Sequence, residues 1–117
     1  MYEYRATIVR WVDGDTVDLD IDLGFGIIYA NQRVRLFGID AFESRTRDLH
    51  EKQKGLAAKD FVERMAPNGT QVILRSKKDG KGKFGRILGE IIIDTPKGQQ
   101  NLNTLLTIEG HAVRYEY

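Results

Sequence analysis

Residues 16–23 read Thr-Val-Asp-Leu-Asp-Ile-Asp-Leu, a strict alternation of polar and apolar side chains. Successive side chains of an extended chain point to opposite faces. The pattern therefore predicts a half-buried strand, with Val17, Leu19, Ile21 and Leu23 inward and Thr16, Asp18, Asp20 and Asp22 on a solvated face that also guards an edge. Asp13-Gly14 stands just before it, between two strand-like runs. Asp-Gly favours a two-residue hairpin whose turn residues both take positive φ. A strand over 4–12, a turn at 13–14 and a second strand over 15–23 are expected. Gly24 and Gly26 interrupt the alternation, and a third strand is expected over 27–39.

The period then changes. Ala58, Phe61, Val62 and Met65 recur at helical spacing, which predicts an amphipathic helix over 49–65 that ends at Pro67-Asn68-Gly69. Further strands are expected over 70–76 and 87–93, separated by a basic, glycine-rich loop at 77–86 and followed by a turn over 94–98. Asn103 is the expected N-cap of a short helix over 104–109, with Gly110 as its stop. An extended piece follows at 112–115. Three strands, a helix, two strands and a short helix suit a mainly β chain with helices (α+β): a five-stranded barrel of OB type, with the longer helix after strand three and a short one near the C-terminus. At 117 residues the chain can bury one modest core, so 1–117 is expected to be one domain.

Composition narrows the chemistry. The chain has no cysteine and two histidines, which excludes disulfide scaffolds, thiolate metal sites and cysteine nucleophiles. No apolar run is long enough to span a membrane, and the start shows no basic region followed by an apolar one. The expectation is a cytoplasmic protein, or a secreted one whose signal has been removed. Charge is uneven. Residues 1–24 carry six acids against two arginines, and residues 75–86 carry six bases against one aspartate. Acidic oxygens suit a hard cation, and a basic loop suits a polyanion.

Three corners carry groups that could act together: Asp15 after the first turn, Arg35 through Asp40 to Glu43 around the end of strand three, and Gly85-Arg86 leading into the next-to-last strand. Taken singly, each has an ordinary explanation as a turn, strand-end or loop residue. Together they would give three carboxylates and two arginines, a set suited to phosphodiester hydrolysis with a divalent cation. Trp11 is expected to be a core or rim aromatic, and His50 and His111 structural or solvated.

At these residues the sequence resembles the staphylococcal nuclease (thermonuclease) family. The resemblance is carried by Val12-Asp13-Gly14-Asp15-Thr16-Val17, by Val34-Arg35-Leu36-Phe37-Gly38-Ile39-Asp40-Ala41-Phe42-Glu43, by Lys83-Phe84-Gly85-Arg86, and by Asn103, Leu106, Gly110 and Ala112 in register. It implies a calcium-dependent nuclease that cleaves DNA or RNA and leaves 3′-phosphate ends. It implies one calcium ion held by Asp15, Asp40 and the backbone carbonyl of Ala41, ligands that also accept magnesium or manganese. Glu43 would be the general base, with Arg35 and Arg86 on the scissile phosphate. Lys83 would contact a terminal phosphate of the bound nucleotide. Phe84 and Tyr115 would stack, as would Tyr117, although the tyrosines are shifted from the family's register. Four positions depart from the family pattern: Phe42 replaces a usual proline, Ala41 a common threonine, and Gly82 and Phe84 the aspartate and tyrosine of a usual Asp-Lys-Tyr around Lys83. The expected partner is DNA or RNA, with single strands preferred, bound by a monomer that has no membrane role. The competing expectations are an inactive nucleic-acid-binding barrel of the same family and a protein-interaction domain.

Overall fold

The structure is a computed structural model that describes residues 2–44, 46–77 and 87–115. In chain order the elements are β1 (Tyr2–Asp13), β2 (Thr16–Gly24), β3 (Ile27–Leu36), β4 (Ile39–Ala41), α1 (Leu49–Met65), β5 (Gln71–Ser76), β6 (Ile87–Thr95), β7 (Gly98–Asn101), α2 (Leu102–Ile108) and β8 (Ala112–Arg114). Neighbouring strands run β3-β2-β1-β5-β6-β7, and β3 also pairs with β6. That last pairing is parallel, with Val34 opposite Ile87 and Leu36 opposite Gly89. It closes β1, β2, β3, β6 and β5 into a ring, as expected for a small barrel of OB type.

Alternation fills the ring. Ala6, Ile8, Val17, Leu19, Ile21, Val34, Leu36, Val72, Leu74, Ile91 and Ile93 form one buried cluster, each contributing about 1–3 kcal/mol by leaving water. The inward set of β2 is as expected except at Leu23, which is 44% exposed because the hairpin has by then run past the core. The α1 helix spans the expected residues. Asp48 caps it by accepting from His50 N at 3.0 Å and Glu51 N at 3.3 Å. It adds Ala58, Phe61 and Val62 to the core, and the indole of Trp11 donates to Ala66 O at 2.9 Å, tying the helix end to β1.

Four local expectations need correction, each because a distant contact outweighs a local preference. The first turn falls on Gly14-Asp15, with Asp13 paired to Thr16, and Gly14 does not take positive φ. Glycine is needed there for space: a Cβ would lie 2.9 Å from Ala58 Cβ and 3.3 Å from Ala41 Cβ. The third strand stops at Leu36. The chain bends at Gly38 (φ 82°) and resumes as β4, which pairs with β8.

Asn103 does not cap α2. Asn101 does, accepting from Thr104 N at 3.3 Å. Asn103 is buried instead, where it donates to Phe37 O (2.9 Å) and Gly89 O (3.2 Å) and accepts from Ile91 N (3.2 Å), holding the Gly38 bend against β6. The turn expected over 94–98 is confined to Pro96-Lys97, so Gly98–Asn101 forms an extra strand, β7, along β6.

The outer face of β2 also departs from expectation. Asp18 is 3% exposed. It lies directly opposite Arg10 on β1 and Arg33 on β3, and bonds Arg10 Nε at 2.9 Å and Arg33 Nε at 2.9 Å. The Arg33 bond, then the Arg10 bond, hold its carboxyl below the usual carboxylate range against the opposing effect of burial, and Arg33 is raised in turn. The aspartate is the middle rung of a charge ladder across three strands. His50 and His111 match expectation: His50 is exposed at the start of α1, and His111 packs on the Phe61 ring at 4.9 Å.

Candidate active site

The Gly14-Asp15 turn lies against α1 and β4, and this sets the site. Asp15 is 8% exposed, and its carboxylate is fixed from three directions. Oδ2 accepts from Ala41 N at 2.9 Å and pairs with Arg35 Nη1 at 2.8 Å, while Oδ1 accepts from the Thr16 hydroxyl at 3.0 Å. The Asp15 carbonyl accepts from Leu36 N at 2.8 Å, which locks the turn onto the end of β3.

Arg35 comes from β3 opposite Thr16. Its second arm, Nη2, reaches Asp40 Oδ1 at 3.3 Å. One guanidinium thus spans two carboxylates that lie far apart along the chain. The Arg35 side chain is 14% exposed and that of Asp40 is 53% exposed, so the pair opens to solvent on the Asp40 side. The resemblance implies one pocket for Asp15, Arg35, Asp40, Glu43 and Arg86; the structure brings the first three together, and Glu43 stands exposed with no bond to them among the described residues.

The loop after β4 is held by contacts that the sequence did not show. Ser44 is buried; its hydroxyl donates to Asp13 Oδ1 at 2.6 Å and its N–H to the same oxygen at 3.3 Å. Gly55 of α1 lies directly on the Glu43–Ser44 backbone, and a Cβ there would overlap the Glu43 carbonyl. Asp13, Ser44 and Gly55 therefore fix where Glu43, itself exposed, can stand. A glycine in mid-helix costs about 0.5–1 kcal/mol relative to alanine, and this was the signal the sequence offered for a close backbone approach. Phe42 is half-buried, with Lys54 Nζ 5.0 Å from its ring centroid.

Tyr115 follows β8, is 47% exposed, and donates its backbone N–H to Gly38 O at 2.9 Å. Lys83, Phe84, Arg86 and Tyr117 lie outside the described residues. Ile87, which follows Arg86, starts β6 opposite Val34, one residue from Arg35.

Among the described residues no three acid or imidazole side chains converge as a ready metal cage. The donor chemistry nevertheless fits a hard divalent cation. Asp15 and Asp40 both face one positive centre, occupied by the Arg35 guanidinium, and both offer carboxylate oxygen. Two carboxylates against one guanidinium leave a negative balance at that point.

Comparison with known proteins gives the class. The chain belongs to the staphylococcal nuclease homologue family, whose model matches residues 33–117. It is 26% identical over 118 residues to Endonuclease YhcR of Bacillus subtilis, covering 97% of this chain and 9% of that protein. It is 30% identical over 105 residues to the Thermonuclease of Staphylococcus intermedius, covering 90% of this chain and 56% of that protein. It is 29% identical over 120 residues to the Micrococcal nuclease of Shigella flexneri, covering 98% of this chain and 60% of that protein. The chain thus spans at most about three fifths of these relatives. Asp15 lies ahead of the segment that the family model matches. No helix among the described residues is long and apolar enough to cross a membrane.

Proposed function

We propose that this chain is a metal-dependent nuclease that hydrolyses phosphodiester bonds of DNA or RNA and leaves 3′-phosphate ends. The observation that carries this reading is the Arg35 guanidinium shared between Asp15 and Asp40. A guanidinium of the kind that suits phosphate and two carboxylates of the kind that suit a cation stand together there, which supports the reading. The names of the relatives point the same way.

Asp15, Asp40 and the Ala41 carbonyl would hold a calcium ion, which when bound neutralises phosphate charge and polarises the P–O bonds. Arg35 then exchanges its hold on Asp40 for the non-bridging phosphate oxygens, which its planar fork matches. Arg86 supplies a second guanidinium, and Lys83, Phe84 and Tyr115 hold the neighbouring nucleotide. Glu43 accepts the proton of the attacking water as the water oxygen bonds to phosphorus; the P–O5′ bond breaks, and the 5′-oxygen takes a proton from solvent to leave as a hydroxyl. Charge grows on the phosphorane oxygens during attack, so two fixed guanidiniums stabilise the transition state more than the ground state.

The test is incubation of the chain with single-stranded and double-stranded DNA and with RNA, in calcium and then in EDTA. Shortening in calcium alone, with ends that a polymerase extends only after phosphatase treatment, is the expected result. Salt-sensitive retention of the oligonucleotide without shortening would overturn the enzymatic reading and leave a binding barrel.

A further inference from the structure

Arg35 shares its face of the barrel with two further arginines. Arg33 stands two residues back on β3, and both side chains leave the outer face because Val34 between them points into the core. Two residues of strand span about 7 Å. On the Arg33 rung, Asp18 of β2 lies between Arg33 and Arg10, one on each neighbouring strand. The Arg10 and Arg33 backbones therefore stand about 10 Å apart, and their side chains converge on Asp18.

The bonding on that rung leaves much of each guanidinium unused. Arg10 bonds Asp18 through Nε at 2.9 Å, and Arg33 through Nε at 2.9 Å and Nη2 at 3.2 Å. Among the described residues, neither Nη of Arg10 has a bonding partner, nor has Nη1 of Arg33. The arginine side chains are 62% and 46% exposed, against 4% for Asp18. One guanidinium would neutralise the carboxylate. Two leave the rung with a net positive charge and free donors at the surface.

We propose that Arg33 and Arg10 contact phosphates of the nucleic-acid strand next to the scissile one, and so lead the strand away from Arg35; this rests on the nuclease reading above. Three features favour a phosphodiester chain. The first is direction. β4 and Tyr115 lie beyond the Leu36 end of β3, and Arg33 lies on the other side of Arg35. A strand held near Tyr115 that crosses Arg35 next meets Arg33. The second is the charge around the row. Asp20 and Asp22 follow Asp18 on the same face of β2. They repel a polyanion from the hairpin tip and turn it across β2 toward Arg10. The third is preorganisation. Asp18 holds the Nε of both arginines, so little side-chain freedom remains to be lost when their Nη groups take phosphate oxygens.

Fluorescence anisotropy of a labelled single-stranded oligothymidylate of about 16 nucleotides tests this, in EDTA and from about 0.02 to about 0.2 M salt. The chains compared are the natural one, Arg10→Gln, Arg33→Gln and, as a control of equal charge change, Arg64→Gln on α1, where Arg64 pairs with Asp60. Arg10→Gln keeps both Arg33 bonds to Asp18, so it decides the matter even if Arg33→Gln fails to fold. The expected result is a fall of about 0.7 in the slope of log affinity against log salt for each of the two row variants, with binding weakened about threefold or more, and no change in Arg64→Gln. No binding by the natural chain, an unchanged slope in a folded row variant, or an equal fall in Arg64→Gln would overturn the proposal. Equally tight binding of a poly-glutamate peptide of the same charge would overturn it as well. Calcium-dependent cleavage by the natural chain reads the nuclease function separately: its absence, with the slopes as expected, strikes that reading and not the phosphate contacts.

Discussion

The two ends of the β2–β3 hairpin differ in almost every respect. At one end, Thr16 pairs with Arg35, the Asp15 carboxylate receives three partners, and the neighbouring turn is packed on α1 and β4. At the other, Gly24 pairs with Ile27, Phe25 stands wholly in solvent, and no core lies beneath. The strands are the same; what they pack against is not. Ring closure by β3 and β6 places the first end where several elements meet, so each polar group there has a partner and a fixed direction. Chemistry needs that fixity, because misplacement of a reacting group by about 1 Å can cost 100-fold in rate. The free end is constrained only by its own ladder and offers surface rather than geometry.

Substitutions should divide along this line. The largest effect belongs to Arg35→Ala and Arg86→Ala, each expected to lower kcat by about three decades or more in a single-turnover cleavage assay. Near-natural turnover in Arg86→Ala would remove that residue from the mechanism. Arg35→Lys should not restore activity, since a lysine cannot span two carboxylates or grip phosphate with two arms.

Next comes Gly55→Ala. The added methyl overlaps the Glu43–Ser44 backbone, so either helix or loop must shift. A stability loss of about 1–3 kcal/mol by urea unfolding and a drop in kcat of about 10- to 100-fold are expected together. Unchanged kcat would mean that the loop does not position Glu43.

Asp18, midway along the hairpin, should affect stability and not chemistry. Its folded-state carboxyl titrates below the ordinary value of 3.8. The stabilisation it brings is therefore fully present above about pH 4 and is lost as pH falls through the lowered value. Asp18→Asn should cost about 1 kcal/mol at pH 7, modest because both arginines are roughly half exposed, and the difference from the natural chain should shrink below pH 4. A constant difference down to pH 2 would contradict the ladder. The smallest effect is at the tip. Phe25→Asn should leave cleavage unchanged and raise stability by up to about 1 kcal/mol, as the left-handed strain is relieved.

The hairpin also shows what a sequence makes legible. Alternation over 16–23 and helical spacing over 58–65 are local periodicities, and both elements form where they predict. The fate of the outer β2 face is not local: the guanidiniums that bury Asp18 come from positions 8 and 15 residues away on two other strands. Asn103 satisfies a cap pattern locally, yet its amide is taken by three backbone groups of β6 and the Gly38 bend. The convergence of Asp15, Arg35 and Asp40 was legible only through the resemblance to the nuclease family, since spacing alone leaves each with an ordinary turn or strand-end explanation. The Ser44–Asp13 bond and the Gly55 contact were not, because they exist only once α1 docks.

The central claim is that Asp15 and Asp40, now bridged by Arg35, act as one cation site. Calorimetric titration of calcium into the natural chain, Asp15→Asn and Asp40→Asn tests it most directly. The account predicts one site per chain, weakened at least tenfold by either substitution. Calcium binding that survives either change, or none in the natural chain, would contradict it.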